Sequence, residues 1–252
     1  MQQLAADLIE QHQTRQRFSS VRDRIPAGAS PYDVQDLLVA HFLEKEGGAI
    51  AGYKIGLTST SMQIFCGIDQ PLAGVVLATR VWPSPVTLRS ADYGRIGIEC
   101  EVCIIVDQDI DGDCTREQVQ EKIRSVHAAF EVVDDRNADY TKLDAISIIA
   151  DNGWNEGVVL GAAAGPGVQL ALLEGTVSLN GEKLASGSTD DAMHPLDAVV
   201  WTARHLAGRG QCLRAGQLVM TGSLVPTRFP KPGEHYRFEV GGLPAVELKV
   251  ID

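Results

Sequence analysis

The feature that most constrains this chain is a ten-residue stretch at 97–106, GIECEVCIIV. Read as a strand, its side chains alternate between two faces. Ile98, Cys100, Val102, Ile104 and Val106 form an apolar face, and Glu99, Glu101 and Cys103 point the other way. Two carboxylates therefore stand side by side in a strongly apolar segment, about 6.5–7 Å apart at a rise of about 3.3 Å per residue. Buried together they repel, and one is driven to keep its proton. A divalent cation removes the conflict, because hard ions such as Mg2+ take carboxylate oxygens and keep positions open for a substrate. A third acid would complete the site, and Glu131 in AAFEVVDDR is the best candidate, with Asp134 and Asp135 as further ones. The competing reading of Glu-x-Glu on a strand is a solvated face, and a motif this short is weak on its own.

Composition narrows the classes. The chain has 252 residues, 44% of them hydrophobic, enough for a full core. A net charge of −11 without a basic cluster argues against a nucleic-acid binder. No apolar run is long enough to span a bilayer, and the polar, helix-periodic start MQQLAADLIEQHQTRQRF is no secretory leader, so the expected location is the cytoplasm. The five cysteines fit a reduced compartment. Cys100 and Cys103 spell C-x-x-C, but three residues apart on a strand they face opposite ways, so they read as core-filling residues.

Pattern along the chain predicts an α+β fold in one domain, 1–252, with an N-terminal helical region at 1–48 and a β-rich core at 49–252. In SPYDVQDLLVAHFLEKEGG, Ser30 caps a helix, Pro31 suits its first turn and Gly47-Gly48 ends it. Residues 49–57 read as a strand and STSMQIFCG as a short helix. TREQVQEKIRSVHAAF, with a Thr115/Gln118 capping box and an apolar face of Val119, Ile123 and Val126, predicts a helix over 115–130. FEVVD then reads as a strand. His127 and Glu131 have the i, i+4 spacing of helical metal ligands, but the β-branched run after Phe130 favours Glu131 acting from a strand. Asn180-Gly181 predicts a tight hairpin, and HPLDAVVWTARHLAGRG a late helix. Lys54, in the apolar GYKIGLTS, is out of place unless paired or functional, or unless it snorkels to an edge. ADNG at 150–153 and TGS at 221–223 are polar breaks at strand ends, where binding groups often lie and plain turns occur more often.

Taken in order, YKIGLTS, GIDQPLAG, IGIECEVCIIV, FEVVDDR, IIADN, HPLDAVVW and VMTGSL resemble the hydratase/decarboxylase branch of the fumarylacetoacetate hydrolase superfamily, from about Val34 to the C-terminus. The resemblance implies a mixed β-roll, an Mg2+ or Mn2+ ion, and metal ligands at Glu99, Glu101 and Glu131. It places Lys54 in the active site as the catalytic lysine. It sets Asp151, Asn152, Thr221 and Gly222 against the substrate, with Lys142 as a further substrate-side lysine. Three departures stand out: QPLAG puts Leu72 where branch members carry an acid, ADNGWNEG replaces a smaller stretch, and LVPTRFPKPGEHYRF adds bulk near the last loop.

The implied partner is a small 2-oxo acid, chelated through its carboxylate and 2-oxo oxygens so that the ion stabilises an enolate. The implied reaction is hydration of a 2-hydroxy-2,4-dienoate to a 4-hydroxy-2-oxo acid. Decarboxylation of a 2-oxo-3-enedioate, cleavage of an acylpyruvate, and a non-catalytic partner subunit are the alternatives. A hydrolase would need a His–Glu pair near the N-terminus; His41 and Glu44 are available but sit on a regular helix pattern. The family habit is a homo-oligomer, and pairing with another pathway enzyme is a further possibility.

Overall fold

The computed structural model describes residues 1–165, 167–189 and 193–252. Helix α1 (Gln2–Thr14) and helix α2 (Pro31–Glu46) come first, and the Ser30 cap, the Pro31 start and the Gly47 stop are all present. Strand β1 (Ile50–Gly56), the short helix α3 (Thr60–Cys66), β2 (Leu72–Leu77), β3 (Val81–Pro83), β4 (Val86–Arg89) and β5 (Ile96–Val106) follow. Next are α4 (Arg116–Glu121), β6 (Ile123–Asp134), α5 (Ala145–Ala150), β7 (Asn155–Leu160), β8 (Glu174–Leu179) and β9 (Glu182–Ser188). Helix α6 (Pro195–Gly208), β10 (Leu218–Ser223), β11 (His235–Val240) and β12 (Val246–Ile251) complete an α+β arrangement. Among the described residues no helix is long and apolar enough to cross a membrane.

Two mixed sheets carry the strands. The larger runs β2-β1-β10-β5-β6-β7-β3, and the smaller runs β4-β12-β11-β8-β9. In the larger sheet β1 pairs parallel with β10 and β3 parallel with β7, and the other neighbours are antiparallel. The sheets meet over the apolar face of β5 and β6, where the Phe130 and Phe238 rings lie 6.2 Å apart within the main core. Cys100 belongs to that core. Cys103 sits on the opposite face in a separate cluster with Ala129 and Met220, as strand alternation requires. The Asn180-Gly181 turn joins β8 to β9 with both residues at positive φ, +52° and +89°, as a two-residue hairpin of this kind demands.

One expectation is overturned. The helix predicted over 115–130 stops after Glu121, and β6 begins at Ile123. The capping box at Thr115 and Gln118 does form, so the start was legible. The remainder is a central strand buried on both faces from Ser125 to Asp134, with β5 on one side and β7 on the other. A strand buried on both faces loses its polar alternation, and its run of apolar residues then imitates a helix stripe. His127 accordingly lies in β6, with its ring nitrogens engaged by Ser125 Oγ and the Gly161 carbonyl, each at 2.9 Å, and it is no partner for Glu131. ADNG follows helix α5 rather than a strand.

Candidate metal centre

Register brings the acids together. In the antiparallel β5/β6 pair Glu99 stands directly opposite Glu131, and Glu101 is two residues along the same face of β5. One carboxylate oxygen from each of the three lies within 4.8 Å of the others, with Glu101 and Glu131 fully buried and Glu99 half-buried. Each carboxylate is held by a neutral donor. Thr227 Oγ1 donates to Glu99 at 2.6 Å, the Gly222 N–H to Glu101 at 2.8 Å and Asn155 Nδ2 to Glu131 at 2.9 Å. Glu101 Oε1 and Glu131 Oε2 are buried with no hydrogen-bond partner at all, a costly arrangement unless something occupies the space they face.

Lys54 enters from β1, buried, with its Nζ 3.1 Å from Glu131 Oε1. It does not snorkel. Glycines make room for it: a Cβ on Gly153 would sit 2.6 Å from Lys54 Cε, and one on Gly74 3.2 Å from the same atom. Burial pulls the Lys54 ammonium toward a lower pKa, but Glu131, Glu99 and Glu101 together outweigh it and hold the pKa above the usual lysine value. Burial and the neighbouring glutamates push Glu101 well above the ordinary carboxylate range, and burial also raises Glu131 against the opposing pull of Lys54. Three carboxylates and one ammonium leave a formal charge of −2, which a divalent ion brings to zero. An all-oxygen donor set, two orphaned buried oxygens and that charge fit a hard divalent cation such as Mg2+ or Mn2+.

Glu99 and Lys54 line a cavity of about 600 Å3, with Glu101 and Glu131 buried behind them, within the range of about 300–1,000 Å3 usual for small-molecule sites. Gly222 lines it, together with Trp154 from ADNGWNEG, Thr227 and Phe229 from LVPTRFPKPGEHYRF, and Tyr140, which the sequence reading did not single out. Leu72 lines it as well, packed over Gly56 and Gly153. The turn after α5 delivers Trp154 into the wall through three successive positive φ values, +53° at Asn152, +60° at Gly153 and +62° at Trp154. For the two non-glycine residues this is strained backbone that neighbours must enforce.

Several expected substrate contacts are not brought to the cavity. The Asn152 amide is the clamp on that turn, accepting from the Val75 N–H at 2.7 Å and donating to the Val75 carbonyl at 2.9 Å. Asp151 is fully buried away from the cavity, paired with Arg136 Nη2 and His12 Nε2, both at 2.7 Å. His12 also contacts Glu156, which pairs with Arg80, so this network ties α1 to the sheet. Thr221 Oγ1 donates to the Val102 carbonyl at 2.8 Å between β10 and β5. The Lys142 side chain is 80% exposed, with Asp139 at 3.9 Å as its ion-pair partner, so it points to solvent. Asp134 and Asp135 serve the loop around Arg95: Asp134 accepts from the N–H groups of Gly94 and Arg95, and Asp135 pairs with the Arg95 guanidinium. His41 and Glu44 both lie on α2, and neither lines the cavity. Asp151, Asn152 and Thr221 are thus engaged by partners within the fold. The rings of Tyr140, Trp154 and Phe229 come from three separate loops and carry no joint sequence pattern.

Residues 63–251 match the family described as fumarylacetoacetate (FAA) hydrolase C-terminal. A 2-keto-4-pentenoate hydratase of Paraburkholderia xenovorans (strain LB400) is 28% identical over 98% of this chain and 94% of its own length. A 4-oxalocrotonate decarboxylase of a Pseudomonas species is 28% identical over 84% of this chain and 82% of its own length. The solved structure of the 4-oxalocrotonate decarboxylase from Pseudomonas putida G7, complexed with magnesium and adipate, superposes with a TM-score of 0.90 at 26% identity, covering 99% of this chain and 97% of that one.

Proposed function

This chain belongs to the fumarylacetoacetate hydrolase family, and from that premise we propose that it is a divalent-metal-dependent hydratase. It adds water to a 2-hydroxy-2,4-dienoate, of the 2-keto-4-pentenoate kind, to give a 4-hydroxy-2-oxo acid. The observation that carries this reading is the trio Glu99, Glu101 and Glu131, with two unpartnered buried oxygens, beside Lys54 at the border of a cavity. The likeness to hydratases over nearly the whole chain supports the choice of reaction.

In this mechanism the three glutamates would hold Mg2+ or Mn2+, and Thr227, Gly222 and Asn155 fix their orientation. The bound ion would supply Lewis acidity for the carboxylate and 2-oxo oxygens of the substrate. Lys54 is the one basic side chain lining the cavity among the described residues. Its ammonium meets the substrate head and is the group positioned to give a proton during ketonisation, since Leu72 has no proton to offer. Water then adds to the conjugated alkene.

The second reading, decarboxylation of a 2-oxo-3-enedioate, is favoured by the close overlay on a decarboxylase. The two are separated by assay. With Mg2+, the protein should remove the ultraviolet absorbance of 2-hydroxypenta-2,4-dienoate, and chelator or Glu101→Gln should abolish the change. Release of CO2 from a 2-oxo-3-enedioate, with no effect on the dienoate, would overturn the hydratase assignment. A homo-oligomer in the cytoplasm is part of the same proposal, and sedimentation of the purified chain tests the assembly.

A further inference from the structure

The cavity carries few charges, and the hydroxyl groups of Thr58, Ser59, Ser223 and Thr227 are the other polar side chains beside Tyr140 in its lining. Its polar charge is confined to the end holding Lys54 and Glu99, while the rest of the wall includes Leu57, Met62, Leu143, Ile148, Trp154 and Phe229. At the rim the aromatic rings touch: Tyr140 lies 6.2 Å from Trp154 and 6.4 Å from Phe229, the latter pair edge to face. A 2-oxo acid whose head sits at the acidic end must send its far end along this apolar wall.

The guanidinium beside the rim already has a counter-ion. Arg95 lies against the rim rings, its guanidinium 4.3 Å from the Phe229 centroid and 5.7 Å from that of Tyr140. Asp135, fully buried, takes that guanidinium through two hydrogen bonds, from Nε at 2.7 Å and from Nη2. Lys142 points to solvent. A carboxylate placed among these walls would lose its water and meet at best a guanidinium whose charge Asp135 already neutralises, which is costly.

We propose, resting on the reading of the site as a 2-oxo acid site, that the natural substrate is a monocarboxylate with a bulky apolar far end, aromatic or several carbons long. The cavity rejects an isosteric chain that ends in a second carboxylate. Met62, Trp154 and Phe229 set this specificity from the wall.

The test is calorimetric titration of the Mn2+-loaded protein with pyruvate, 2-oxohexanoate, 2-oxoadipate and 4-phenyl-2-oxobutanoate. The six-carbon pair differs only in its last group. Each buried methylene tightens binding by about three- to fourfold, so 2-oxohexanoate should bind about fifty-fold more tightly than pyruvate. The phenyl compound should bind at least as well, and 2-oxoadipate should bind at least about tenfold more weakly than 2-oxohexanoate. Met62→Lys, a half-buried position where a lysine stem replaces a chain of similar length, should move that ratio toward 2-oxoadipate by about tenfold. Equal or tighter binding of 2-oxoadipate by the unaltered protein, or no gain on lengthening the chain, overturns the proposal while leaving the 2-oxo acid reading in place. If Mn2+ binds and no 2-oxo acid does, the functional reading itself falls and takes the proposal with it.

Discussion

Asp151→Asn separates the structural role of the IIADN segment from a substrate role. Asp151 is fully buried and ion-paired to the fully buried Arg136 and to His12, whose side chain is 10% exposed. Removing one member of a buried ion pair strands its partners and costs about 3–5 kcal/mol. The pKa of His12 reports the strength of the whole network, Glu156 included. Burial alone would lower it, but Asp151 and Glu156 raise it from 6.5 to about 9, which corresponds to about 3 kcal/mol favouring the folded state when the imidazole is protonated. For a chain of this size about 2–4 °C of melting temperature accompanies each kcal/mol, so Asp151→Asn should lower it by about 6–20 °C near neutral pH. The pH window follows from the directions. Because the folded pKa of His12 is raised, its contribution is complete below about 6.5 and is lost as pH rises through about 9. Burial would raise the Asp151 pKa, but Arg136 and His12 lower it below 3.8, so its contribution holds above that value and fades in stronger acid. Thermal melts at pH 7 and pH 10 should therefore show the gap between unaltered protein and Asp151→Asn narrowing at the higher pH. Calorimetry on the folded variant should show unchanged affinity for pyruvate with Mn2+. A melting temperature within about 2 °C of the unaltered protein, together with lost pyruvate binding, would refute the structural assignment and return Asp151 to the substrate.

Other perturbations probe the centre directly. Asn155→Leu removes the donor to Glu131 and should weaken Mn2+ binding by about 10- to 100-fold in calorimetry, an effect that Lys142→Ala should not reproduce. Lys54→Met should keep the ion, since it removes a positive charge beside the carboxylates, and should lose pyruvate affinity by about tenfold or more; loss of Mn2+ binding instead would contradict the charge balance drawn here. Gly153→Ala puts a Cβ 2.6 Å from Lys54 Cε, so the lysine must move; turnover should fall while Mn2+ affinity stays within about twofold, and unchanged turnover would show that Lys54 needs no fixed position.

What the sequence made legible was the local and the anomalous. Two glutamates on one face of an apolar strand could be read because their cost is visible without any tertiary contact, and Ser30-Pro31 and Asn180-Gly181 could be read because caps and tight turns are settled within a few residues. Residues 123–130 were misread for the opposite reason. Their conformation is decided by pairing with β5 and β7, and burial on both faces erases the periodicity that would have revealed a strand. Asp151, Asn152 and Thr221 look functional as polar groups at element ends, yet partners distant in sequence, Arg136, Val75 and Val102, consume them. Thr227 and Asn155, which hold two of the three acids, were invisible because a positioning role exists only once β10, β5, β6 and β7 lie side by side.

The account stands or falls on Mn2+ titrated into the metal-stripped, folded protein and followed by calorimetry. One ion per chain should bind, Glu101→Gln and Glu131→Gln should each abolish saturation, and at a free ion concentration of about a hundred times Kd the unfolding free energy should rise by about 2.7 kcal/mol. A folded chain that takes up no Mn2+ at millimolar concentration, or that binds it equally well after either substitution, would contradict the claim that Glu99, Glu101 and Glu131 grip a divalent ion.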